Sequence, residues 1–337
     1  MNLGKLGQAI TAKEIFGLIH DDLERVEKEI TLETVASVEV VTQIGQYLQE
    51  SGGKRLRPSL LLLASRLIGG PGGNPGESAI HLGAVVEIIH AATLVHDDVI
   101  DDARTRRGRP SANVQWGNHT SVLAGDWLYM QAFQMALRER NFHLLDLLIG
   151  LTQMMVEGEL LQLERIGRIQ VTEADCMELV DRKTACLFSV CAKLGALVAG
   201  ADSQTEERLG EYAWNLGMAF QLVDDLLDFT SREKVLGKPV GNDLREGKVT
   251  LPLVYALEQA TAEERRRVET ILRERNYDRV PFSQILAMVE RYQGIARVKE
   301  RAQAFTEKAR GIMSEFPDSP YQRALYGITE LVTERDH

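Results

Sequence analysis

Two aspartate clusters sit inside otherwise apolar, helix-spaced runs, and any fold for this chain has to accommodate both. Asp97-Asp98-Val99-Ile100-Asp101-Asp102 and Asp224-Asp225-Leu226-Leu227-Asp228 share the pattern DDxxD. Carboxylates at i and i+4 emerge on one helix face, one turn apart. Both clusters fall near the expected C-terminal ends of their helices, where the negative macrodipole adds to their mutual repulsion. Placement against local stability tends to mark function. Facing each other across a cavity, the clusters would form an oxygen-rich cage for magnesium, which favours carboxylates together with phosphates. A calcium-binding EF-hand loop starting at Asp97 fails at its twelfth position, which is Gly108 and not glutamate.

Apolar residues recur at three- and four-residue spacing through most of the chain. The pattern predicts helices near 12–30, 33–50, 55–69, 77–104, 119–139, 142–165, 172–200 and 205–231. Shorter ones are expected near 249–259, 262–275, 282–292, 295–316 and 319–334. Alternating β-branched runs bounded by turn pairs are missing, so no strand is expected. The segments 77–104 and 205–231 are apolar around most of their circumference, as central helices are. Glycine and proline punctuate 69–76, 107–110 and 237–241 without a disordered linker. The expected fold class is therefore all-α, a single-domain bundle of long helices over residues 1–337 around a central cavity.

With 49 acidic and 39 basic side chains the net charge is −10. A nucleic-acid partner is not expected, because phosphate neutralisation needs a basic face. Cys176, Cys186 and Cys191 have no CxxC spacing, which fits a reducing compartment better than a disulfide or zinc framework. The N-terminus lacks the apolar stretch of a signal peptide, and no run approaches a membrane span. A cytoplasmic protein without a transmembrane segment is the expectation.

Cationic groups are interleaved with the acidic ones. Gly52-Gly53-Lys54-Arg55-Leu56-Arg57-Pro58 is a basic turn entering a helix, and Arg104-Thr105-Arg106-Arg107-Gly108-Arg109 follows the first aspartate cluster. Lysine supplies a point charge and arginine a planar fork for phosphate oxygens. Lys183, Thr184, Gln221, Lys238 and Lys248 follow in the second half. The alternation suits two anionic ligands, one bridged by metal and one held by side chains.

GGKRLRP at 52–58, HDDVIDDARTRRG at 96–108, KTA at 183–185, FQLVDDLLDF at 220–229 and GKPVGNDLREGK at 237–248 together resemble the trans-isoprenyl diphosphate synthases. One DDxxD is a weak signal; five motifs in the family's order are a specific one. The resemblance implies a magnesium-dependent prenyltransferase that condenses isopentenyl diphosphate with an allylic diphosphate. It places two magnesium ions on Asp97 and Asp101 and a third on Asp224, with Asp98, Asp225 and Asp228 in support. Arg106, Lys183, Lys238 and Lys248 match contacts to the allylic diphosphate, with Thr184 and Gln221 near the developing cation. Lys54, Arg57, His90 and Arg107 match positions that bind isopentenyl diphosphate. A homodimer is implied, and a membrane surface could assist release of a greasy product.

Ala92 and Thr93 lie one turn before Asp97, just beneath the allylic tail. Short-chain members often carry aromatic rings there, so small residues imply a medium-to-long all-trans product. Deeper residues such as Val86, Ile89, Tyr129 and Phe133 are candidates for the floor. A short-chain farnesyl or geranylgeranyl synthase is the runner-up. A non-catalytic subunit of a heteromeric synthase would be expected to lose part of the aspartate-arginine set. A terpene cyclase would usually replace the second DDxxD with an Asn/Ser/Glu triad.

Overall fold

Helix α5 (Glu77–Ile100) is apolar on nearly every side, and its neighbours are arranged to cover it. The computed structural model describes residues 11–50, 52–53, 55–70, 76–230 and 240–333. By length and composition α5 could cross a membrane, which corrects the expectation that no segment approaches a span. Its most apolar window is 72% buried inside the protein, however, against α2 (His20–Glu33), α4 (Leu56–Gly69) and α7 (Asn118–Arg138). The middle of helix α4 is apolar in the same way: Leu60, Leu61, Leu62 and Leu63 are all inaccessible. A helix without a polar stripe has to be covered on all sides.

The second aspartate cluster ends α11 (Ser203–Thr230), which packs against α10 (Cys186–Val198) and the helix Gly294–Met313. Most buried apolar residues from Ile15 to Val332 form one contiguous cluster, and Ile44, Val95 and Ala124 form a small second one. Reciprocal capping boxes at Thr11/Glu14, Thr172/Asp175 and Thr261/Glu264 fix where three of the helices begin. The all-α class expected from the sequence is the one observed.

Several boundaries differ from the periodicity. The run at 12–30 divides into α1 (Ala12–Gly17) and α2, because the chain turns at Leu18 and Ile19. The run at 77–104 stops at Ile100. There Ala103 N–H donates to Asp98 O at 2.9 Å and Asp102 adopts a left-handed φ of 53°, a Schellman-type end on a non-glycine residue. The chain then makes a two-residue antiparallel ladder, Thr105–Arg106 with Arg109–Pro110, where no strand was expected. Short helices at Ala112–Trp116 and Asn242–Arg245 also carry too little periodicity to be read from sequence.

The run at 172–200 holds the most consequential break. Helix α9 (Glu173–Val180) passes into a π-helical turn at Asp181–Ala185 before α10 begins. Trp214 Nε1 on α11 donates to Asp181 Oδ1 at 2.6 Å and ties the first residue of that turn.

Close helix packing needs glycine at particular points. A Cβ on Gly195 in α10 would lie 2.2 Å from the carbonyl oxygen of Leu61 in α4. Gly195→Ala is therefore expected to destabilise the fold by roughly 1–3 kcal/mol. Thermal unfolding followed by circular dichroism measures this; an unchanged midpoint would mean that α4 and α10 separate without cost.

Candidate active site

The ends of α5 and α11 converge on one cavity of about 340 Å³. Asp97 and Asp101 enter from α5, and Asp224 and Asp225 from α11. Arg57, His90, Thr93, Lys183, Thr184, Gln221 and Lys248 line the same space. Eleven of the residues singled out in the sequence thus meet in one place, although they are spread over nearly two hundred positions.

The carboxylates are not all equivalent. Burial, then repulsion from Glu159 and Asp101 set against attraction to Lys183, pushes Asp97 up to about 6. Asp225 is pushed further still by burial, with Asp243, Asp224 and Asp228 adding repulsion. Gln221 Nε2 donates to Asp225 at 2.9 Å while its Oε1 accepts from Thr184 at 2.8 Å. This chain of bonds ties α11 to the π-turn. Asp101 is paired with Lys248 at 2.8 Å, and Lys248 also reaches Glu246 at 2.8 Å. Lys183 is ion-paired with Glu159 and donates to Gln162 Oε1 at 3.1 Å.

The same cavity carries a half-buried basic pair, Arg57 and His90. Arg57 is half-buried, its guanidinium lies 5.5 Å from the Phe188 ring centre, and its buried Nε has no partner. A buried unpartnered donor is costly, so it fits an anionic ligand. His90 beside it is held neutral: burial first, then Arg57 and Arg106, lowers its imidazole well below the ordinary range. Of the arginines in the basic turn, Arg55 is spent on structure, in ion pairs with Glu27 and with Glu87 at 2.5 Å.

Other residues singled out in the sequence do not line this cavity. Asp98 is buried and accepts from Arg106 Nε at 2.8 Å, so the ladder folds Arg106 back onto α5. Arg106 and Arg107 border a smaller neighbouring cavity together with Arg55, Glu87 and His90, and His90 lines both. Asp228 accepts from the amides of Asn242 at 3.1 Å and Asp243 at 3.2 Å, and so anchors the segment that carries Asp243. Ala92 is fully buried in the core, leaving Thr93 as the wall residue of that pair. Val86 and Ile89 are likewise inaccessible core residues. Lys54 and Lys238 lie outside the described residues.

Sequence reasoning missed Asp243, Glu159, Gln162 and Arg165. Asp243 and Gln162 line the main cavity, and so does Arg165, whose guanidinium pairs with Glu178 at 2.7 Å. Asp243 lay within the motif at 237–248, but only the lysines of that motif were weighed. Glu159 and Gln162 are ordinary residues of an amphipathic helix until α8 (Phe142–Arg165) is seen crossing the π-turn.

Five carboxylates, Asp97, Asp101, Asp224, Asp225 and Asp243, thus share one cavity with cationic side chains around them. Hard oxygen donors of this kind fit magnesium or calcium, metals that also carry phosphate.

The family model for polyprenyl synthetases matches residues 38–289. This chain belongs to that family. Its members are prenyltransferases, and the all-α fold is theirs. The chain is 35% identical to the octaprenyl diphosphate synthase of Escherichia coli (strain K12) over 336 residues, covering 100% of both chains. It is 34% identical to an all-trans-nonaprenyl-diphosphate synthase of Rhodobacter capsulatus, covering 96% of this chain and 98% of the relative. Among solved structures, the polyprenyl synthase of Caulobacter crescentus CB15, complexed with calcium and isoprenyl diphosphate, superposes with a TM-score of 0.91 at 32% identity. That match covers 98% of this chain and 99% of the other.

The shift of Asp97 has a consequence for stability. A carboxyl whose folded pKa is raised binds protons more tightly in the native state, so ionisation costs stability as pH rises from the ordinary aspartate range to about 6. Asp97→Asn removes that cost. In metal-free buffer the gain in unfolding temperature is expected to grow between pH 4 and about 6 and to level off above it. A gain that shrinks as pH rises would contradict the assignment.

Proposed function

We propose that this polyprenyl synthetase condenses isopentenyl diphosphate with an allylic diphosphate to give an all-trans polyprenyl diphosphate of medium-to-long chain. The observation carrying the proposal is the single cavity that two carboxylate sets, from α5 and α11, share with a half-buried arginine and a neutral histidine. Heterolysis of an allylic C–O bond separates a carbocation from a diphosphate, and rate is gained where that separating charge is stabilised.

Asp97, Asp101 and Asp224 would hold magnesium, with Asp225 and Asp243 alongside. When bound, the metal neutralises the diphosphate leaving group. Lys183 and Lys248 supply positive charge at the same group. Arg57 and His90 stand where a second diphosphate, that of isopentenyl diphosphate, is held by side chains alone, with Arg107 across the smaller cavity. Gln221 and Thr184 keep neutral oxygen atoms facing the reacting carbons, where they stabilise a cation without trapping it. Met155, Val171, Val180, Leu187 and Val249 exclude water that would quench it. The released diphosphate serves as base, since His90 is enclosed among arginines.

Small Thr93 at the wall supports the longer product, and the octaprenyl and nonaprenyl synthases among the relatives support it too. Purified protein given farnesyl diphosphate, excess isopentenyl diphosphate and magnesium is expected to make products beyond geranylgeranyl length by mass analysis. Arrest at that length would favour the short-chain reading, and absence of condensation would sink the function. Thr93→Phe is expected to shorten the product.

We further propose a homodimer. Leu123, Met130 and Leu137 on α7, and Ile149, Val156 and Leu163 on α8, repeat every seven residues and are exposed. Two heptad stripes side by side fit the matching pair of a second copy. Leu123→Glu with Val156→Glu is expected to yield a monomer by sedimentation; an unchanged dimer would place the interface elsewhere.

A further inference from the structure

Glu159 has no part in the machinery above, yet its carboxylate stands at a junction. A second cavity of about 330 Å³ adjoins the first between α5, α7 and α8. Thr93, Asp97, Met155 and Lys183 line both spaces and mark the seam between them. Lys183 is held at that seam from α8. Glu159, facing the second cavity, forms its ion pair, and Gln162, facing the first, accepts its other hydrogen bond at 3.1 Å. The two partners are three positions apart and share one helix face.

The approach is close enough to need Gly158. A Cβ there would meet Arg182 Cβ at 2.8 Å and Lys183 Cγ at 3.2 Å. The side chains of Lys183 and Glu159 are 24% and 14% exposed, so solvent screens their attraction only in part. An ammonium has three N–H donors. With two engaged by α8, the direction of the third is set. An untethered lysine gives up rotamer freedom when it meets an anion, whereas this one has already given it up.

We infer that Glu159 is a positioning residue, whose carboxylate holds the Lys183 ammonium at the seam so that its remaining N–H meets the allylic diphosphate. The inference rests on the assignment of Lys183 to that diphosphate. It carries a diagnostic sign. A carboxylate that merely lay near an anion site would repel the ligand, and removing its charge would tighten binding. A carboxylate that orients the lysine has the opposite effect, and acts only while the lysine is present.

The test is calorimetric titration of inorganic pyrophosphate, in magnesium buffer, into the full-length wild type, Glu159→Gln, Lys183→Ala and the double variant. Glu159→Gln is expected to weaken binding about tenfold, and by less than about twofold in the Lys183→Ala background. In steady state its KM for the allylic substrate rises while that for isopentenyl diphosphate stays constant. Equal or tighter pyrophosphate binding in Glu159→Gln, or an undiminished effect without Lys183, overturns the inference while leaving the proposed function standing. A wild type that neither binds pyrophosphate nor makes product overturns both. Should Glu159→Gln lose its thermal transition, Glu159→Asp, which draws the charge back by one methylene, takes its place in the cycle under the same criteria.

Discussion

Repulsion between carboxylates that the fold forces together is the constraint from which the rest of this structure follows. Asp97 and Asp101 end one buried helix, Asp224 and Asp225 end another, and Asp243 joins them on one cavity. The dipole of α5 adds negative charge at Asp97 and Asp101. The chain's own cations relieve this only in part: Lys248 compensates Asp101 and Lys183 lies near Asp97, yet Asp97 and Asp225 are still pushed upward by burial and by their neighbours. Such a site stores an affinity for divalent cations, and the fold holds it open because α5 and α11 are locked by apolar packing elsewhere.

The basic side is organised by the same logic in reverse. Arg57 is half-buried beside a histidine kept neutral, and its Nε is a buried donor without a partner, so its positive charge fits an anion. Neighbouring cations that are not needed at the cavity are neutralised locally, Arg55 by Glu27 and Glu87, and Arg106 by Asp98. One cavity thus combines metal-seeking carboxylates with anion-seeking cations among aliphatic side chains. That combination suits two diphosphates, one met through metal and one by side chains.

Much of this was legible in the sequence. Apolar runs around most of the circumference identified α5 and α11 as central, because little that is polar marked an outer face. The paired DDxxD motifs identified the two helix ends that meet. What stayed hidden depended on tertiary contact. Asp98 and Asp228 look like their neighbours in sequence, but the Schellman-type turn after Ile100 brings Arg106 onto the first, and the backbone at 242–243 closes over the second. Ala92 and Thr93 are adjacent, and only helix rotation decides which reaches the wall. Glu159 and Gln162 gain meaning through the π-turn that carries Lys183, and single-turn insertions leave no periodic trace. The seven-residue stripes on α7 and α8 were present in the sequence but are separable from core positions only once exposure is known.

The account's central claim is that the opposed acidic helix ends close on one diphosphate through metal. The most direct measurement is a crystal structure grown with magnesium and a non-hydrolysable allylic diphosphate analogue. The account predicts magnesium bridging the analogue's phosphate oxygens to Asp97 and Asp101 on one side and Asp224 on the other, with the apolar tail running past Thr93. An analogue bound with its phosphates away from either aspartate set, or metal held by one set alone, would contradict it.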